Sequence, residues 1–141
     1  MVMVAKNNPF NIRYSKNNRW FGQYGQNKGF VMFSSLDCGI RAMIIILRNY
    51  RKFGLNTIKG IITRFAPSTE NDTDAYLRFV AKETQILLDQ KLESEDQYVR
   101  LMYAMSLFEG NPVPREIIVD VLTCHKLKFF SPYEEKNIKV D

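Results

Sequence analysis

The stretch 36–53 constrains this chain most, because it reads as a helix that is apolar around most of its circumference. Ile40, Met43, Ile44, Leu47 and Tyr50 recur at three- and four-residue steps, the period of one helical face. Ile45 and Ile46 widen that face, and a helix hydrophobic nearly all round needs neighbours on several sides. The rest of the chain must therefore wrap around it. Ser34 and Ser35 offer an N-cap, Asp37 complements the positive helix end, and Arg51 and Lys52 complement the negative one. Gly54 supplies the left-handed stop.

The wrapping material is mostly helical too. Thr57 caps a segment 58–65 with Ile58, Ile61 and Ile62 inside, which Pro67 ends. Thr73 is the expected cap of a helix 74–84 whose stripe is Tyr76, Phe79 and Val80. Ser94 caps 95–109, with Tyr98, Leu101, Met102 and Met105 inside and Gly110 as its stop. Pro114 is expected at the first position of a last helix, 114–125. Ahead of all these, the asparagine-rich residues 7–18 read as an ordered loop. Two short aromatic runs, 19–23 and 30–33, flank the glycine-bearing stretch 24–29 and predict a β-hairpin. The expected fold is α+β and predominantly α-helical, with about five helices and one small N-terminal hairpin. The expected organisation is a single domain over 1–141: a functional half at 7–80, a helical scaffold at 86–130, and a polar tail at 131–141.

The net charge of +5 suits an anionic partner such as bacterial wall, membrane surface or nucleic acid. No nucleic-acid recognition motif accompanies it, so nucleic acid is not an expected partner. Cys38 and Cys124 lie apart in helical segments and read as reduced, partly buried packing residues, and His125 is the single histidine. That set holds no metal-ligand spacing, and phosphate-binding and nucleophile-elbow motifs are missing, so no metal or cofactor is expected. The longest apolar run, 42–47, is far short of a membrane span. The opening residues 1–6 are too short, and their apolar run too brief, for a signal peptide, which implies a chain made and kept in the cytoplasm.

Chemistry-bearing residues concentrate in the first half. In order they read Asn8-Pro9-Phe10-Asn11-Ile12-Arg13, Trp20, Gly22-Gln23, Gly29-Phe30 and Phe33, then Gly39-Ile40-Arg41-Ala42. Arg64-Phe65-Ala66-Pro67, Glu70-Asn71-Asp72-Thr73 and Tyr76 complete the series. This series resembles a family of small phage and prophage proteins described as virion structural proteins. Their shared wording is close to N-N-P-(G/F)-N-I-R, W-x-G-Q, G-F-x-x-F, G-I-R-A and R-(W/Y/F)-A-P-x-x-E-N-D-T-x-x-Y. The resemblance covers residues 7–80. The family in turn resembles lysozyme-like peptidoglycan hydrolases, in which an asparagine-rich loop and an aromatic hairpin wall the sugar cleft. Those enzymes carry a catalytic glutamate at the end of a helix that precedes the loop, whereas residues 1–6 contain no acid.

The resemblance implies a phage-associated protein acting on cell-wall glycan, either a glycan-strand hydrolase or a lytic transglycosylase. The alternative is a non-catalytic virion component that binds glycan or other virion proteins. Glycosidic cleavage needs a carboxylic acid kept protonated by partial desolvation. Glu70, in a loop entering a helix, is the catalytic candidate. It also suits a structural pairing with Arg13, Arg41 or Arg64, while Asp37, Asp72 and Asp74 read as helix-start carboxylates. Asn11, Arg13, Trp20, Gln23, Tyr24 and Tyr76 are the substrate-binding candidates, with Phe21 a further stacking surface. Trp20 serves equally well as the hairpin's anchor on the long helix.

Overall fold

The computed structural model describes residues 3–69 and 71–130. Among them the order is β1 (Gln23–Asn27), β2 (Phe30–Phe33), α1 (Leu36–Lys52), α2 (Ile58–Phe65), α3 (Thr73–Thr84), α4 (Glu95–Phe108) and α5 (Arg115–Cys124). This is the helix-dominated α+β fold expected, with its one hairpin at the N-terminal end. The expected tail at 131–141 and the candidate Glu70 lie outside the described residues.

Helix α1 is indeed enclosed. Its buried residues include Cys38, Ile40, Ala42, Met43, Ile44, Ile45 and Leu47, which span more than one face. Strand β2 and α5 pack on it, while α3 lies between α2 and α4. Ser35 caps α1 through Cys38 N, and Gly54 follows its end with φ +86°. One apolar cluster runs from Phe10 through all five helices to Phe129. Of the two thiols, Cys38 is buried in this cluster, but Cys124 is exposed on the last turn of α5, not half-buried as expected.

Three local expectations are corrected. The first strand is not 19–23 but Gln23–Asn27, because Lys28 and Gly29, with φ +54° and +86°, form the tight turn. A turn with two positive φ values matches the strand twist and fixes the register, pairing Asn27 with Phe30 and Gln26 with Val31 despite the polar character of β1. A third segment joins the ribbon where Val31 N donates to Ile12 O at 3.0 Å and Tyr14 N to Gly29 O at 2.8 Å. The cap of α3 is Asp72, whose carboxylate accepts from Ala75 N. Thr73 is diverted: its hydroxyl donates at 2.5 Å to Ala66 O, satisfying a carbonyl at the end of α2. Pro114 sits just before α5 at ψ 146°, an extended value, so the helix starts one residue later than expected.

Gly39 shows how closely α1 approaches the N-terminal loop. A Cβ there would land on the carbonyl oxygen of Asn7, so the helix axis and the loop backbone meet without any intervening side chain.

Candidate functional site

The asparagine-rich loop is built by its own amides. Asn7 adopts φ +60° and donates to Phe33 O at 2.9 Å. Fully buried Asn8 donates to Ile12 O and Val31 O, both at 2.9 Å, and accepts from Ile12 N through Oδ1 at 2.9 Å. Irregular backbone cannot satisfy itself as a helix does, so side-chain amides take that role.

Asn11 behaves differently. It too is left-handed, at φ +53°, a conformation that asparagine tolerates better than most residues. Its amide, however, points out of the loop and donates at 2.8 Å to Glu109 Oε1, 98 residues away in sequence. Asn111 returns the contact, donating to Pro9 O at 3.2 Å. The loop and the end of α4 are thus clamped together by one bond in each direction.

Glu109 is the residue at which α4 stops, followed by Gly110 at φ +85°. Its second oxygen, Oε2, accepts from Tyr76 Oη at 2.8 Å. Tyr76 comes from α3, is buried, and stacks on Phe108 with ring centroids 4.1 Å apart. Burial pushes the Glu109 carboxyl above its ordinary pKa; the Asn11 and Tyr76 hydrogen bonds and the nearby Arg13 pull it down by less. Its place at the negative end of α4 acts in the same direction as burial. The Tyr76 hydroxyl is held well above its ordinary pKa by burial and then by Glu109, so it remains a donor.

Around this carboxyl lies a cleft of about 470 Å³, within the usual range for small-ligand sites. Asn11, Arg13 and Trp20 form one wall; Tyr50, Arg64 and Asn71 form the other. Among the described residues lining it, Glu109 is the one carboxyl. Arg13 lies over the Phe30 ring at 4.9 Å, and Arg64 over Tyr50 at 5.8 Å, so both cationic rims rest on aromatic faces.

Of the binding candidates, Asn11, Arg13 and Trp20 therefore line the cleft. Trp20 is only 7% exposed, so the same ring both anchors the hairpin and offers an edge to the cavity. Tyr76 lies beneath and reaches it through Glu109. Gln23 is not in the lining; its Oε1 accepts from Trp20 N at 3.1 Å and orients that residue. Tyr24 and Phe21 are exposed on the hairpin outside the lining, Phe21 with Arg41 over its ring at 5.4 Å. Asn71, which was not among the candidates, also lines the cleft.

Glu109 is the residue that sequence reasoning missed, because it falls in the stretch read as scaffold. A signal existed. Lysine, arginine and histidine are the residues expected in the last turn of a helix, and α4 has no basic residue there but ends in an acid.

Among the described residues no group of acids, cysteines and histidine is placed to hold a metal ion. No helix among them is long and apolar enough to cross a membrane. No protein-family model matches the chain. Over 116 residues it is 41% identical to Protein P5 of Pseudoalteromonas phage PM2, an alignment covering 79% of this chain and 72% of that protein.

Proposed function

Because the chain belongs to the family of Protein P5 of Pseudoalteromonas phage PM2, we propose that it is a phage protein acting on bacterial-wall glycan. In this reading the cleft holds a peptidoglycan strand and Glu109 is the general acid that cleaves it. The observation that carries the proposal is the Glu109 carboxyl, the one carboxyl among the described lining residues, desolvated and aimed by donors from two other elements.

The chemistry follows from that environment. A glycosidic oxygen is a poor leaving group until it is protonated, and a carboxyl with a raised pKa keeps a proton available nearer neutrality. As the C–O bond breaks, the proton passes from Glu109 to the departing oxygen. The carboxylate left behind receives Asn11 Nδ2 and Tyr76 Oη, both already in place. It then takes a proton from the incoming hydroxyl, whether water or a hydroxyl of the sugar itself, and the acid is restored. A single carboxyl suits the lytic route better than the paired-carboxylate route. Trp20 offers an apolar edge to a sugar ring, the Asn11 and Asn71 amides suit hydroxyl or acetamido groups, and Arg13 suits anionic substituents.

The fold also bears on the resemblance to lysozyme-like enzymes. Their acid ends a helix that precedes the asparagine-rich loop in the chain. Here α4 follows the loop by more than half of the chain, yet its end is clamped against that loop. The spatial relation supports the reading although the chain order differs.

One observation favours a second reading, a non-catalytic virion component. Both Glu109 oxygens already accept protein hydrogen bonds, and the Asn11–Glu109–Tyr76 chain ties the loop, α3 and α4 together as a structural lock would. Purified protein incubated with peptidoglycan separates the two. The proposal expects soluble muropeptides from the wild type and none above background from Glu109→Gln. Sedimentation with the wall, weakened by Trp20→Ala but without soluble products, would establish the second reading instead.

A further inference from the structure

We infer that the cleft continues past Arg64 into a cationic compartment that takes a carboxylate-bearing branch of the bound strand. This rests on the glycan reading above and names the substrate feature that the same groove selects.

Asn49, Tyr50 and Arg64, which wall the main cleft, also wall a second depression of about 440 Å³. Phe53 and Leu55 close its far side. From Leu55 and Arg64 the surface runs on as a shallower hollow past Lys59 and Thr63. The three hollows thus share walls in sequence, with Arg64 common to all of them. No other described residue is.

Two properties make this extension a binding surface rather than a fold in the exterior. Phe53, the residue that ends α1, is 83% exposed, the most exposed large hydrophobic residue among those described. An apolar ring presented this openly beside a groove offers a stacking face to a ligand. The second property is charge. Among the described residues no acid lines either hollow, and no ion pair is formed by Arg64 or Lys59. The one lining carboxyl among the described residues lies in the main cleft, in Glu109. A strand lying in the groove therefore meets one acid at its centre and two uncompensated cations along its exit. Hydroxyl groups alone do not call for that pattern; a carboxylate carried by the sugar or by a peptide attached to it does.

The test measures affinities by titration calorimetry with three oligosaccharides of equal length: a neutral chitin fragment, a wall-glycan fragment carrying its stem peptide, and the same fragment after amidase removal of the peptide. Glu109→Gln protein serves as the binding form, so that no ligand is consumed. The peptide-bearing fragment is expected to bind about three- to tenfold tighter than chitin, the range two exposed ion pairs support. Arg64→Ala and Lys59→Ala, added together in that background, are expected to bring this ratio close to one. Both residues are exposed, and circular dichroism verifies the fold. Loss of the preference on amidase treatment assigns it to the carboxylates of the peptide; its persistence shows that the compartment also takes the lactyl carboxylate that the treatment frees on the sugar. Equal affinity for chitin and both wall fragments overturns the inference while leaving the cleft a sugar site, and so does a preference that the double substitution leaves intact. Failure to bind any of the three overturns the glycan reading itself.

Discussion

The loop and hairpin at 7–33 and the short α4–α5 junction at 106–113 meet in the same clamp, yet they are built on opposite principles. The first is dense with asparagine, glycine and aromatic residues, and most of them go into holding an irregular backbone in shape. Asn8 alone satisfies three backbone groups. The second is a helix end that satisfies its own backbone up to the last turn, so one side chain there is free to face the cleft. Irregular segments advertise themselves in sequence because they need many side chains to close their hydrogen bonds. A regular element can deliver the reactive group with a single residue and leave no cluster to notice.

The strongest test of that contrast exchanges the two candidate acids. Glu109→Gln is expected to lower muropeptide release by about 10²- to 10⁴-fold, the usual contribution of a general acid. Glu70→Gln is expected to leave release within a few-fold of wild type, because the proposal gives Glu70 no part in the chemistry. The reverse result would return the chemistry to the motif-rich half. Structural damage is not expected to mask the answer. Glutamine can still accept from Tyr76, and its amide can donate to Asn11 Oδ1, which is buried without a partner, once the Asn11 amide turns over.

Stability should show the opposite bias, toward the loop side. Gly39→Ala drives a methyl group onto Asn7 O and is expected to cost about 3 kcal/mol in urea unfolding, at the upper end for overpacking. Asn8→Ala strands buried backbone groups of Ile12 and Val31 and should cost about 2 kcal/mol. A surface change on the other side, such as Val119→Ala on α5, should stay within about 0.5 kcal/mol. If Asn8→Ala proved as mild as Val119→Ala, the loop would not be the self-built structure described.

Much of the fold was legible for a definite reason. Helices announce themselves by period and by caps, and Ser35, Thr57 and Ser94 cap α1, α2 and α4 as read. Where a residue had a competing partner, the reading slipped: Thr73 went to Ala66 O, leaving the cap to Asp72. The hairpin register slipped because Lys28–Gly29 is a weaker turn signal than the aromatic runs beside it. Of the residues lining the cleft, Asn11, Arg13 and Trp20 could be named from the motif-rich first half, whereas Glu109 could not, since its contact with Asn11 spans 98 residues and no local pattern encodes it.

The finest test asks whether the two regions share one titration. Asn11 Nδ2 and Tyr76 Oη both favour the ionised form of Glu109. Asn11→Asp would add a charge and confuse the reading, but Asn11→Ala and Tyr76→Phe each remove one donor, so each should raise the carboxyl pKa further. The acid form then survives to higher pH, and the alkaline limb of the cleavage profile should move up in both variants. The stability consequence has a fixed sign. A carboxyl whose pKa is higher folded than unfolded binds its proton more tightly in the native state, so the native state gains most below the ordinary value of 4.5 and loses that gain as pH rises through the raised one. Melting temperature followed upward from about pH 4, near that ordinary value, should therefore fall with a component that Glu109→Gln abolishes. Asn11→Ala should extend the same component to higher pH. An unchanged slope in Glu109→Gln would mean that the loop and the helix end touch without sharing a proton, and the clamp would then be a lock rather than an acid's mounting.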